Sequence, residues 1–285
     1  MVDAEDSRVT DETLIGRIAA GDPSAFDRLV RRHQAAVYRF VRAALPAEAG
    51  AEVVDAGAEE ILGASFLAAR RAAPRHRDEP SARPWLLALA RQAIDRRYPR
   101  PRERDLPSLR ELAQGAGWRS AGGEEAPEHE TGEVAAAFAA LPPQDRELLT
   151  LCDREYFTVD ETARVTGLAD SAVCTRLHRA RVRLLAEIEA GSSKPAPEED
   201  EAVVAGLHCG EVLADLTEHL DGRLSRDRAE RLDEHLAGCA GCRGFADAVT
   251  AAVRAVRQLP DEPLAPEIEE RLLAALRGGE APPLD

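Results

Sequence analysis

The sequence predicts an all-α chain, and three observations predict it. Ala and Arg are abundant while aromatic residues make up only 4% of the 285 residues, a composition that suits helices far better than sheets. Apolar residues recur at spacings of three and four along most of the chain, the period of a helix face. No stretch alternates apolar and polar residues as a half-buried strand would. The length allows two or three small domains. The pattern divides into helical parts at 10–98, 134–190 and 206–278, with linkers at 99–133 and 191–205.

The first part reads as a helical bundle from Thr13 to Tyr98. Asp22-Pro23-Ser24 caps a helix through AFDRLVRRHQAAVYRFVRAAL, with Phe26, Leu29, Val30, His33, Val37, Phe40 and Val41 on one face and Pro46 as its stop. A second helix is expected over Glu59–Arg71, with Ile61, Leu62, Phe66 and Leu67 inward. A basic, Pro-rich loop from Pro74 to Pro84 precedes a third helix, PWLLALARQAIDRRYPR. In it Trp85, Leu86, Leu89, Ala93 and Ile94 face inward, and Arg91, Arg96 and Arg97 project. Pro99 to Glu133 is rich in Arg, Pro, Gly and Glu with little periodicity. It reads as a flexible linker in which Leu106 to Leu112 could form a helical turn.

The second part ends in a helix-turn-helix. Leu148, Leu149 and Leu151 make one helical face, and Val159, Thr162, Ala163 and Val165 another. Gly167 sits where the turn needs a residue tolerant of positive φ, and Asp170 and Ser171 offer the next N-cap. The last helix places Val173, Leu177, Ala180 and Leu184 on one side. Ser171, Ala172, Thr175, Arg176, Arg179 and Arg183 lie on the other. Small polar residues at the N-terminal end with Arg behind them suit a helix that enters the major groove and grips phosphates.

After Glu187 the chain changes character. GSSKPAPEEDE is a linker, and then His235-x3-Cys239-x2-Cys242 has metal-ligand spacing. His235 and Cys239 at i and i+4 share a helix face, and the CxxC turn folds the second thiolate back. A tetrahedral Zn2+ site needs a fourth ligand. Cys209 is the leading candidate and His208 its rival. Gly222 reads as a helix stop and Ser225 as the following N-cap, with His219 an ordinary surface residue. The rest is amphipathic: Phe245, Val249, Ala252, Val253 and Val256, then Ile268, Leu272, Leu273 and Leu276.

The net charge of −15 is unevenly spread. Ser24–Arg104 holds 16 basic against 10 acidic residues and residues 198–285 hold 9 against 20, +6 and −11. A DNA-binding face is read locally, not from the whole-chain sum. No apolar run reaches the ~18 residues of a membrane span and no signal peptide opens the chain, so a cytoplasmic protein is expected. There, five Cys argue for a metal or free thiols over a disulfide framework. Cys152 and Cys174 read as helix-packing residues outside the metal motif. There is no phosphate loop, nucleophile triad or HExxH-like motif, so the metal site reads as closed and structural and the chain as no enzyme.

LPPQDRELLTL followed by VDETARVTGLADSAVCTRLHRARVRLL resembles region four of bacterial sigma factors, closest to the extracytoplasmic-function group. The resemblance implies that Ser171, Thr175, Arg176, Arg179 and Arg183 meet the −35 promoter element. GDPSAFDRLVRRHQAAVYRFV and PWLLALARQAIDRRYPR resemble region two of the same group. That implies docking on core RNA polymerase through Glu59, Glu60 and Phe66. It also implies capture of a −10 base by the Pro74–Pro84 loop, with Arg91, Arg96 and Arg97 on the DNA backbone. One departure stands out: Gly63-Ala64-Ser65 precedes Phe66-Leu67 where the group usually has a polar Gln-Glu-like pair, which weakens or shifts polymerase binding. Cys209 to Cys242 resembles the zinc-binding anti-sigma domain, in which a following helix packs on the sigma domains. The expected protein is a sigma factor regulated in cis by intramolecular contact with its own zinc domain, without a membrane anchor. The alternative is a helix-turn-helix regulator that works without core polymerase.

Overall fold

The computed structural model describes residues 9–46, 51–76, 81–99, 107–118, 129–190, 203–260 and 264–278. Residues 191–202 of the expected linker at 191–205 and residues 77–80 of the Pro74–Pro84 loop lie outside them, and the linker's last residues, 203–205, are instead strand and turn. The chain is all-α apart from a two-stranded hairpin among the described residues, and it divides into two compact units, each discontinuous in sequence.

The first unit takes in the chain up to residue 101, then 157–168, then 260 onward. Its bundle is α1 (Asp11–Ala19), α2 (Pro23–Ala44), α3 (Ala51–Ala72) and α4 (Ala82–Arg97), with a 3₁₀ turn at Ala73–Arg75 after α3. The Asp22 carboxylate caps α2 as expected, accepting from the Ser24 and Ala25 amides at 2.9 and 3.3 Å. Leu14, Phe26, Leu29, Phe40, Leu62, Phe66, Leu86 and Ile94 fill the centre. Asp11 fastens three helices together. Its carboxylate accepts from His33 Nε2 at 2.9 Å, Arg32 at 2.8 Å and the Ala82 amide at 3.1 Å.

The second helix is longer than the expected Glu59–Arg71, because Gly57 does not break it. A Cβ at Gly57 would sit 3.1 Å from the Tyr98 hydroxyl, so the bare backbone lets α4's end approach α3.

Two further helices complete this unit. α8 (Val159–Thr166) starts on a capping box, the Thr158 hydroxyl and Glu161 carboxylate exchanging bonds, and packs on α4. Gly167 ends it at φ 71°, the left-handed conformation expected of the turn. α13 (Pro266–Gly278) packs on α3 and α2 with Leu272, Leu273 and Leu276 buried.

The second unit holds α5 (Leu109–Gly115), α6 (Thr131–Ala140), α7 (Pro143–Leu149), a π turn at Thr150–Arg154 and α9 (Asp170–Glu189). It also holds β1 (Val203–Val204), β2 (Leu207–His208), α10 (Cys209–Leu220), α11 (Arg226–Gly238) and α12 (Ala240–Arg257). α9 is its axis, with α5, α6, α7, α10 and α12 all packed on it. α5 corrects the reading of 99–133 as linker: a Ser108–Glu111 capping box starts it, and Leu112, Ala113, Ala116 and Trp118 are buried. Leu106 lies outside the described residues. The expected side-chain cap on α9 is also corrected. Ala169 holds the N-cap position without a side-chain bond, and Asp170 and Ser171 fall in the first turn.

Inside this unit Asp153, fully buried, accepts from Arg181 at 2.7 and 3.1 Å, and Arg181 reaches Asp221 at 2.9 Å. A buried carboxylate and guanidinium are tolerable only as such a pair.

Candidate functional site

α10, α11 and the start of α12 bring Cys209, His235, Cys239 and Cys242 together, with one ligand atom of each within 4.8 Å of every other. Cys209 Sγ is 3.7 Å from His235 Nε2 and 4.0 Å from Cys239 Sγ. Tetrahedral ligation at Zn–S ~2.3 Å and Zn–N ~2.0 Å separates such atoms by about 3.5–3.8 Å, so the spacing fits. His208, the rival fourth ligand, is exposed, and its backbone amide donates to Glu211 instead.

The chemistry of the donors points the same way. Burial opposes ionisation of Cys239, yet hydrogen bonds from Cys242, Cys209 and the Gly241 amide outweigh it and lower its thiol. Burial, with negative charge on Cys209 and Cys239 beside it, pushes the Cys242 thiol up. Three crowded sulfurs and an imidazole are relieved by a cation.

The hairpin orients the histidine, and the sequence reading missed this. His235 Nδ1 donates to the Val204 carbonyl at 3.3 Å, which fixes the tautomer and turns Nε2 toward the sulfurs. β1 comes this close because residue 238 is Gly: a Cβ there would lie 2.7 Å from Val204 Cγ1. The available signal was the Ala205-Gly206 pair between two β-branched residues and Leu207. Both adopt positive φ, 52° and 73°, as a two-residue hairpin turn requires.

On α9, Ser171 and Thr175 are exposed and Arg176 and Arg179 half-buried, one side of the helix as expected. Arg183 is a correction. It is buried against Asp145 of α7 in an ion pair and does not face solvent. In the first unit Arg96 and Arg97 are exposed, but Arg91 is 4% exposed and pairs with Asp95 at 2.7 Å. Phe66, expected to meet polymerase, is fully buried in the bundle, and Ser65 beside it donates to the Ile61 carbonyl at 2.6 Å. Glu59 and Glu60 are half-buried.

Two family models match, "Sigma-70, region 4" over residues 131–184 and "Putative zinc-finger" over residues 209–243. The chain is 30% identical over 175 residues to "ECF RNA polymerase sigma factor SigM" of Mycobacterium tuberculosis (strain ATCC 25618 / H37Rv), covering 83% of SigM and 61% of this chain. It belongs to the ECF RNA polymerase sigma-factor family. "ECF RNA polymerase sigma factor SigC" of Mycobacterium tuberculosis (strain CDC 1551 / Oshkosh) is 32% identical over 189 residues, 94% of SigC and 65% of this sigma factor. Among solved structures, "Structure of CnrH in complex with the cytosolic domain of CnrY" aligns at TM-score 0.44 and 25% identity, over 99% of that chain and 64% of this one.

One more stripe of α9, which the sequence reading did not separate, meets the zinc-finger part. Cys174, His178 and Arg181 follow one another at i, i+4 and i+7 on α9, and all three meet residues of the zinc-finger part. Arg223 lies 2.9 Å from Cys174 Sγ, His178 bonds the Ala214 carbonyl, and Arg181 pairs with Asp221. Within this unit the extension therefore covers the stripe that continues from Ser171 at i+3, i+7 and i+10, while Ser171 and Thr175 themselves stay exposed. No helix among the described residues is long and apolar enough to cross a membrane.

Proposed function

We propose that this sigma factor is held off core RNA polymerase in cis by its own C-terminal extension, whose α10–α12 part is built on a Zn2+ held by Cys209, His235, Cys239 and Cys242. The observation that carries the reading is the seat of α13. Its leucines bury against α3 and α2, and Arg271 pairs with Glu59, the acidic residue assigned to polymerase docking. Arg277 pairs with Asp27 at 2.5 Å, Arg31 with Glu269, and Arg70 donates to the Leu276 carbonyl at 2.7 Å. The ion pairs run in both directions, so the contact is not the simple meeting of an acidic tail with a basic surface that the charge distribution suggests. The apolar stripe supplies its affinity. A tether of this length holds the extension at roughly millimolar effective concentration, so a modest contact stays occupied.

Released from the extension, the chain binds core polymerase through Glu59 and Glu60. It reads −35 DNA with Ser171, Thr175, Arg176 and Arg179, and meets −10 DNA with Arg96 and Arg97. A bound Zn2+ supplies a four-point clasp in place of a larger apolar core. The protein works in the cytoplasm, where its polymerase and promoter are.

Run-off transcription with core polymerase tests this, comparing the full chain with one ending near residue 195 on promoters selected from genomic fragments. More transcript from the shortened chain is expected. Equal or lower output makes the extension a scaffold or an activator, and no transcript from either chain favours a helix-turn-helix regulator that works without polymerase.

A further inference from the structure

The α9–α10 joint contains a titratable group that neither promoter recognition nor the metal site uses. His178 is 6% exposed and faces α10. Its bond to the Ala214 carbonyl needs an N–H, because a carbonyl only accepts. Nε2 has no hydrogen-bond partner among the described residues and is shut off from solvent. Nδ1 therefore carries the proton, and Nε2 holds a buried lone pair with no partner among the described residues. We propose that His178 makes the docking of the zinc-finger part on α9 acid-sensitive, so that protonating Nε2 opens the joint. The proposal rests on the cis-docking reading above.

Most charged groups on the elements packed around His178 are committed elsewhere; on α10, Glu218 is exposed and Thr217 Oγ1 is buried without a partner among the described residues. Arg181 and Arg179 of its own helix repel the imidazolium. On α10, Asp215 is committed to Arg228 and Glu211 to the His208 amide. On α5, Arg110 lies over Trp118 and Glu111 caps the helix at Ser108. On α7, Asp145 holds Arg183; on α12, Arg257 stacks over Tyr156 and reaches Asp153 at 3.8 Å, while Asp153 and Asp221 hold Arg181. Glu133 of α6 is exposed.

Burial first, then Arg181, pushes the docked imidazole down to about 4, against the pull of the Ala214 carbonyl. Undocked, it faces water at its ordinary ~6.5. A group whose value is lowered by docking stabilises the docked form fully above the undocked value and loses that stabilisation as pH falls from there toward 4. Between pH 7.5 and 5.5 the opening equilibrium should rise about tenfold.

The test is amide hydrogen exchange across α9 and α10 in the full zinc-loaded chain at both pH values, corrected for intrinsic exchange, with zinc content measured in parallel. The natural chain is expected to open about tenfold, and His178→Gln, which keeps a donor for Ala214 but cannot titrate, less than twofold. His178→Asn stands in if the Gln variant lacks native helix content. Equal opening in the natural chain and the variant overturns the proposal, including when acid strips zinc from both. So does a natural chain that stays closed. If both chains exchange freely in α9 and α10 already at pH 7.5, the docking itself is refuted, and the acid switch with it.

Discussion

The seat of α13 on the first bundle gives a quantitative prediction. Leu272 and Leu276 are 2% and 0% exposed, against α3 and α2. Truncating a buried Leu to Ala costs ~2–5 kcal/mol. Because these two are neighbours on one helix, taking the lower figure for each gives at least about 4 kcal/mol for the pair, close to a thousandfold in the docking equilibrium. A 13-residue helix is marginal alone in water, so the undocked segment should also lose its helix. The ion pairs cannot compensate. Arg271 is 46% exposed opposite Glu59, and such a pair is worth at most about 1 kcal/mol. Leu272→Ala with Leu276→Ala should therefore abolish exchange protection in α13 and tighten binding to core polymerase, measured by competition against a labelled sigma factor. Arg271→Ala should produce a small fraction of that effect. If the double variant frees α13 by exchange and yet binds core no better than the natural chain, then covering the Glu59 surface is not what holds the protein off polymerase.

Three other outcomes are expected. Cys239→Ser should lose bound zinc and the exchange protection of α10–α12; full metal content in that variant would move the site elsewhere. Arg176→Ala and Arg179→Ala should weaken −35 binding and flatten its salt dependence by about one unit of slope each, whereas an unchanged slope would take these residues off the DNA. Asp11→Asn should destabilise the first bundle by about 1–3 kcal/mol through three weakened hydrogen bonds. Burial alone would raise the Asp11 carboxyl, but the bonds from His33, Arg32 and the Ala82 amide hold it well below the ordinary carboxylate range. Its contribution is therefore full above about pH 4 and fades progressively as pH falls toward its lowered folded value, so in acid unfolding the gap between the natural chain and Asp11→Asn should narrow steadily below pH 4.

What was legible in the sequence was whatever depends on spacing along one helix. His235-x3-Cys239-x2-Cys242, the Asp22 cap and the left-handed Gly167 are local patterns, and the structure keeps their local geometry. What failed needed a partner from far along the chain. Arg183 looked like a DNA contact because a helix wheel puts it near Arg179, but Asp145, 38 residues away, claims it. Arg91 shares α4 with the exposed Arg96 and Arg97, yet sits on the side that becomes buried. α5 is only seven residues long and its burial comes from α9 and α10, so composition alone read it as linker. The hairpin at Val203–His208 is two residues a side, too short for alternation to register, although it is what aims His235.

The division of the extension between the two units bears on the proposed hold-off. α10–α12 grip α9 along Cys174, His178 and Arg181, which leaves Ser171 and Thr175 exposed within that unit. A cover there does not hide the end of α9 that carries Ser171 and Thr175. α13 instead lies over Glu59 and the α2–α3 surface, where the resemblance places polymerase docking. On the proposed reading the two attachments divide the labour: the Cys/His-rich part anchors the extension to α9, and the helix after it covers the α2–α3 surface. An anchor that stays closed keeps α13 at high local concentration even when α13 transiently lifts. On that reading any event that opens the anchor, whether loss of metal or a charge on His178, lengthens the effective tether and lowers the occupancy of the α13 contact without touching a residue of it.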